Sequence, residues 1–113
     1  MFNVLTEWRE DRGLNGIMAD KTKHFSFITE EVSEGLRAES VYEVIDAYCD
    51  IIVFAVNAIE QSGFNAEIAM NETLKEIGSR KGAMNAETKK WEKFKDDYHK
   101  ALWYKADYSK AEK

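Results

Sequence analysis

Residues 43–59, E-V-I-D-A-Y-C-D-I-I-V-F-A-V-N-A-I, constrain this chain more than any other stretch, because acids mark one side of a segment that is otherwise almost wholly apolar. On a helix of 3.6 residues per turn, Glu43, Asp46 and Asp50 fall at i, i+3 and i+7 and form one stripe. Apart from these acids and Asn57, the predicted helix is apolar nearly all round, so most of it must be covered. Carboxylates along a buried helix repel one another and lose hydration unless cations neutralise them. A second acidic group lies upstream in E-E-V-S-E (residues 30–34), where Glu31 and Glu34 are helical neighbours with Glu30 beside them. Alone, such a segment is ordinarily a solvated face. Here a short polar break, R-A-E-S-V at residues 37–41, joins the two segments, and helices joined so closely are antiparallel neighbours. The two stripes can then face each other, and a divalent-metal site is the economical reading.

Composition supports a helical scaffold. The 113 residues suit one domain with a single core, and the absence of proline, with six glycines, favours helices over strands and turns. The net charge of −5 argues against a general nucleic-acid or anionic-membrane binder. The single cysteine, Cys49, excludes an intramolecular disulfide and fits a reducing compartment. No charged-then-apolar leader opens the chain, and no apolar run nears the roughly 18 residues of a membrane span. The expectation is an all-α, cytoplasmic protein with neither nucleic acid nor membrane as partner.

In chain order, residues 2–12 predict a short amphipathic helix with Val4, Leu5 and Trp8 apolar, Trp8 serving as a core anchor, and R-G-L-N-G around Gly13 and Gly16 ends it. A loop, A-D-K-T-K-H, carries Lys21, Lys23 and His24 ahead of the next helix, which Asp20 or Thr22 caps. In that helix Phe25, Ile28, Val32 and Leu36 form the apolar stripe, with the acids roughly opposite. Ser40 caps the following helix, and S-V-Y-E gives Glu43 an alternative role as capping-box partner. Cys49 packs, and Gly63 ends the helix. A third long helix covers residues 66–77, with Ala66, Ala69, Met70, Leu74 and Ile77 inward and Asn71 and Lys75 on its flank. G-S-R-K-G (residues 78–82) predicts a basic turn whose Arg80 and Lys81 can meet an anion. Residues 86–102 predict a further amphipathic helix with Trp91, Phe94 or Lys95, Tyr98 and Leu102 on one side, ahead of an aromatic and basic tail.

E-E-x-x-E on one helix followed by E-x-x-D at the head of an apolar helix resembles the MazG-like all-α nucleoside triphosphate pyrophosphohydrolases, over about residues 5–82. The version here, with Asn71 and Lys75 on the next helix, is similar to the short phage-type, phosphoribosyl-ATP pyrophosphatase-like branch. The resemblance implies a helical bundle of four to five helices whose core is completed by oligomerisation, as a dimer or tetramer. Residues 1–82 then form the pyrophosphohydrolase core, and residues 83–113 a C-terminal helix and tail of the same domain. It also implies Mg²⁺, or Mn²⁺, bound by Glu31, Glu34 and acids of the second helix. Alignment on Glu43-x-x-Asp46 leaves Asp50 as an extra acid one turn on, whereas alignment on Asp50 puts Ala47 where the family has Glu; Asp46 and Asp50 are favoured, with Glu43 contributing. Asn71 and Lys75 match the family's phosphate-contacting positions.

The reaction so implied is hydrolysis of a nucleoside triphosphate at the α–β bond to a monophosphate and pyrophosphate. Glu31 or Glu34 takes the water's proton, and Lys23, His24, Lys75, Arg80 or Lys81 holds the outgoing pyrophosphate. Trp8, Phe27 and Tyr48 are candidates for the base pocket. Other metal and nucleotide patterns are missing: His24 and His99 lie in neither acidic segment, the acids do not follow EF-hand spacing, and there is no P-loop or G-x-S-x-G. The competing function is a non-enzymatic helical adaptor or inhibitor whose acidic faces bind a basic partner.

Overall fold

The computed structural model describes residues 1–15 and 20–113. The chain is mainly α. Among the described residues it forms α1 (Phe2–Asp11), α2 (Lys21–Arg37), α3 (Val41–Gln61), α4 (Ala66–Gly78) and the short α5 (Asp97–Ala101), with a two-stranded sheet of β1 (Gly82–Met84) and β2 (Trp91–Lys93). No helix among the described residues is long and apolar enough to cross a membrane. The chain divides into two compact units, Met1–Ala66 with Glu112–Lys113, and Glu67–Ala111.

In the first unit the helix ends follow local chemistry. Gly13, at φ 66°, closes α1 in the left-handed conformation that glycine adopts without strain; Gly16, the other expected stop, and Ala19, the start of the expected loop, lie outside the described residues. Asp20 caps α2 by accepting from the Lys23 N–H at 3.2 Å, so Lys21, Lys23 and His24 belong to the helix and not to a loop before it. Ser40 caps α3, accepting from the Glu43 N–H at 3.2 Å, and α3 gives way at Gly63, φ 90°. The three-residue break makes α2 and α3 an antiparallel pair. Contact moves down one helix as it moves up the other: a Cβ on Gly35 would sit 3.2 Å from the Ala47 Cβ, and Phe27 meets Phe54 with ring centroids 5.4 Å apart.

Two inward faces differ from expectation. On α2, Phe25, Val32 and Leu36 are exposed, and the row Phe27–Glu31–Gly35 lies toward α3. Periodicity identifies an apolar side but not its partner, and a glycine on one row permits the closest helix approach there. On α1, Trp8 is exposed, with the Arg12 guanidinium 4.4 Å from its ring centroid, and the anchor is Arg9, 1 % exposed. Arg9 donates to the Asn57 Oδ1 at 2.7 Å, the Asn15 Oδ1 at 3.0 Å and the Thr6 Oγ1 at 3.1 Å, and pairs with Glu60 at 3.5 Å. Glu60 also pairs with the Lys113 ammonium, and the Lys113 N–H donates to the Gly63 carbonyl at 3.0 Å. Cys49 is exposed rather than packed.

In the second unit, Met70, Leu74 and Ile77 of α4 are exposed and not inward, whereas Glu72 is 2 % exposed. Its carboxylate accepts from the Tyr104 hydroxyl and the Asp107 N–H (3.0 Å) and pairs with Lys75 at 3.2 Å. One turn on, Glu76 accepts from the Ala106 N–H at 3.1 Å and Ser79 from the Tyr104 N–H at 2.7 Å. The chain from 104 to 107 is thus strapped along the polar side of α4, which decides the helix's inward face. The Tyr104 hydroxyl, followed by the Asp107 N–H, lowers the Glu72 pKa from 4.5 to about 2. Below pH 4.5 the unfolded chain binds a proton there that the folded chain refuses, so this contribution to stability is full above pH 4.5 and is lost as pH falls toward 2. Urea midpoints followed by tryptophan fluorescence should therefore fall more steeply between pH 4.5 and 3 in the parent than in Glu72→Gln; equal slopes would remove Glu72 as a source of acid sensitivity.

The helix predicted over residues 86–102 is replaced by a hairpin and the five-residue α5. Asn85 is the reason: its Oδ1 accepts from the Glu87 and Thr88 N–H groups at 2.8 and 3.2 Å, a side-chain turn that competes with helix. Its backbone closes the loop, donating to the Lys90 carbonyl at 2.8 Å and accepting from the Lys89 N–H at 2.8 Å, with Lys89 left-handed at φ 60°. Across the strands Gly82 pairs with Lys93, Ala83 with Glu92 and Met84 with Trp91. A Cβ at Gly82 would collide with the Glu92 carbonyl oxygen and come within 2.6 Å of the Trp91 Cζ2. Gly82→Ala should accordingly abolish the near-UV dichroism of Trp91 and the cross-strand NOEs while sparing α1 to α3; a retained hairpin would show that this contact relaxes cheaply.

Candidate metal site

The α2–α3 pairing brings the two acidic stripes together. Glu31 is half-buried on the row facing α3, one turn from Phe27 and one from Gly35. Partial burial, then the charges of Glu34 and Asp50, a hydrogen bond with Glu34 and the charge of Asp46 all raise its pKa above the ordinary 4.5. Of the other four expected ligands, Glu34 on α2 and Asp46 and Asp50 on α3 thus act on Glu31. Among the described residues, none of Glu31, Glu34, Asp46 and Asp50 is ion-paired to a lysine, arginine or histidine. The fifth, Glu43, reaches back past the Ser40 cap: its Oε2 accepts from the Glu39 N–H at 3.1 Å.

The donor set consists of hard carboxylate oxygens, which match Mg²⁺ or Mn²⁺ and not a soft metal. As the side chains stand, no three acidic, histidine or cysteine groups among the described residues converge closely enough to share one ion. Mg²⁺ does not require that, because it is typically held by one or two carboxylates, with waters and substrate phosphates completing its shell. The residues present fit such an ion.

Lys23 lies two turns before Glu31 on α2, its ammonium 5.8 Å from the Phe27 ring centroid, so a cation heads the row that carries the acids. His24 stands edge-on to Phe27, centroids 6.5 Å apart, with its Nδ1 buried and without a hydrogen-bond partner. Phe27 itself is packed between His24 and Phe54 and is part of the helix pair's core. Tyr48 is exposed and, with Val32, Leu36 and Ile51, lines an apolar concavity of about 170 Å³ that has Glu31 at its edge. Asn71, Lys75 and Arg80 belong to the second unit. There Asn71 is exposed, Lys75 pairs with Glu72 at 3.2 Å and Arg80 pairs with Glu76 at 3.5 Å. The buried polar groups Arg9, Asn57 and Glu72 were not among the residues singled out from sequence; Asn57, the lone amide in an apolar run, was the visible signal for the first two.

No family model, curated protein or solved structure matches the chain.

Proposed function

We infer that this chain is a Mg²⁺-dependent, MazG-like nucleoside triphosphate pyrophosphohydrolase that cleaves the α–β bond to a nucleoside monophosphate and pyrophosphate. The observation that carries this is that Glu34 on α2 and Asp46 and Asp50 on α3 all lie near enough to Glu31 to raise its pKa, with none of the four ion-paired among the described residues. Mg²⁺ or Mn²⁺ held by these carboxylates would neutralise the triphosphate and acidify a bound water. Glu31 or Glu34, whichever keeps an oxygen free, accepts the water's proton. Lys23 holds a phosphate at the head of the same row.

A second copy of the chain completes the site. A concavity of about 170 Å³ is smaller than the roughly 300–1,000 Å³ of ordinary ligand pockets. The helices around it expose Val32, Leu36, Ile45, Tyr48 and Ile52 to solvent. Packing two α2–α3 pairs through these side chains would bury them and deepen the pocket, giving a dimer or a pair of dimers.

The test is pyrophosphate release across ribo- and deoxynucleoside triphosphates with Mg²⁺ or Mn²⁺, alongside thermal unfolding and sedimentation. The enzyme should gain thermal stability with Mg²⁺ and more with a non-hydrolysable triphosphate. Absence of both turnover and metal-dependent stabilisation would leave the adaptor function, in which the acidic face binds a basic partner.

A further inference from the structure

We propose that the hairpin of the second unit is a binding surface for single-stranded nucleic acid. The net charge of −5 averages unlike parts: between residues 79 and 95 there are six basic residues, Arg80, Lys81, Lys89, Lys90, Lys93 and Lys95, against the two acids Glu87 and Glu92. Phosphate contact depends on the local count, not the chain's total. Among the described residues none of these five lysines is ion-paired.

The strand alternation sorts the two signs. Trp91, Lys93 and Met84 share one face, while Ala83 and Glu92 take the other, where the Glu92 Oε1 accepts from the Asn85 Nδ2 at 3.2 Å. On the first face the Trp91 indole lies against the bare backbone of Gly82 and remains 53 % exposed. It is an aromatic plate with a fixed bed and an open side. Lys89 and Lys90 precede it in the loop, both exposed. Lys93 and Arg80 stand over the Trp103 ring at 5.1 and 5.6 Å from its centroid, and Phe94 is exposed beside Lys93. An exposed aromatic plate flanked by lysines that are not ion-paired suits unpaired bases and their phosphates. A lipid surface would be met by an apolar face flanked by cations, whereas here Lys93 occupies the aromatic face itself.

The experiment is fluorescence anisotropy of the full chain with labelled oligothymidylate of about 20 nucleotides, longer than the roughly 4–16 that a small single-strand-binding fold covers. Binding should weaken about fifty-fold between 50 and 200 mM salt if four phosphates are contacted. Lys89→Glu/Lys90→Glu and Trp91→Ala should each weaken it about ten-fold or more, and Trp91→Phe should restore most of it. Should Trp91→Ala disturb the hairpin, the loop lysine variant still decides, because those side chains are exposed. Glu31→Gln should bind as the parent does, which separates this surface from the acidic site. No binding at 50 mM salt, binding indifferent to the lysine variant, or retention on phosphatidylserine vesicles but not on the oligonucleotide would overturn the proposal.

Discussion

Glu34→Gln and Asp50→Asn are each expected to lower Mg²⁺-dependent pyrophosphate release by about a thousand-fold or more while leaving helical dichroism nearly unchanged. Both keep the side chain's size and remove only its charge, at positions where that charge repels its neighbours in the metal-free protein. The effect on stability should therefore run opposite to the effect on activity. A raised carboxyl pKa means that Glu31 favours the folded state when protonated and loses this contribution as pH rises through the folded-state value. At neutral pH and without divalent cation, Glu34→Gln or Asp50→Asn should raise the thermal midpoint, and the further rise with Mg²⁺ should shrink. Parent-level rates in both variants would exclude these residues from the chemistry. Loss of activity with loss of helix would mean that the acids serve the fold instead.

Arg9→Ala should destabilise the first unit by about 3–5 kcal/mol, the usual cost of removing one partner from a buried charged pair. The guanidinium is the common donor to Asn57, Asn15 and Thr6 and the ion-pair partner of Glu60. Its loss leaves the Asn57 amide, itself buried, with an acceptor facing no donor. Urea unfolding followed by helical dichroism measures the effect. Arg9→Lys should fall between parent and Ala, because a lysine keeps the charge but not the planar fork that reaches several oxygens at once. A change below about 1 kcal/mol in Arg9→Ala would mean that water replaces the guanidinium at little cost.

Features encoded within a few residues of one another were legible along the chain. The caps at Asp20 and Ser40, the stops at Gly13 and Gly63, and the spans of α1, α3 and α4 each depend on a side chain reaching backbone nearby or on a glycine's freedom at one position. The antiparallel pairing of the two acid-bearing helices was legible for a related reason: a break of three residues leaves the following helix little choice but to turn back along its predecessor.

Choices between competing faces were not legible. Phe25, Val32 and Leu36 are as apolar as any inward stripe, but the row with Gly35 approaches α3 most closely. Trp8 lost the core position to Arg9, because Asn57 and Glu60 on α3 offer oxygens that only a guanidinium reaches. In residues 86–102 the helical period was real, yet Asn85 closed a loop and Gly82 admitted the Trp91 ring, so pairing across strands prevailed. Local propensity is worth tenths of a kcal/mol per residue, whereas a distant partner that buries or satisfies a whole side chain is worth roughly a kcal/mol or more, and such partners exist only once the chain has come together.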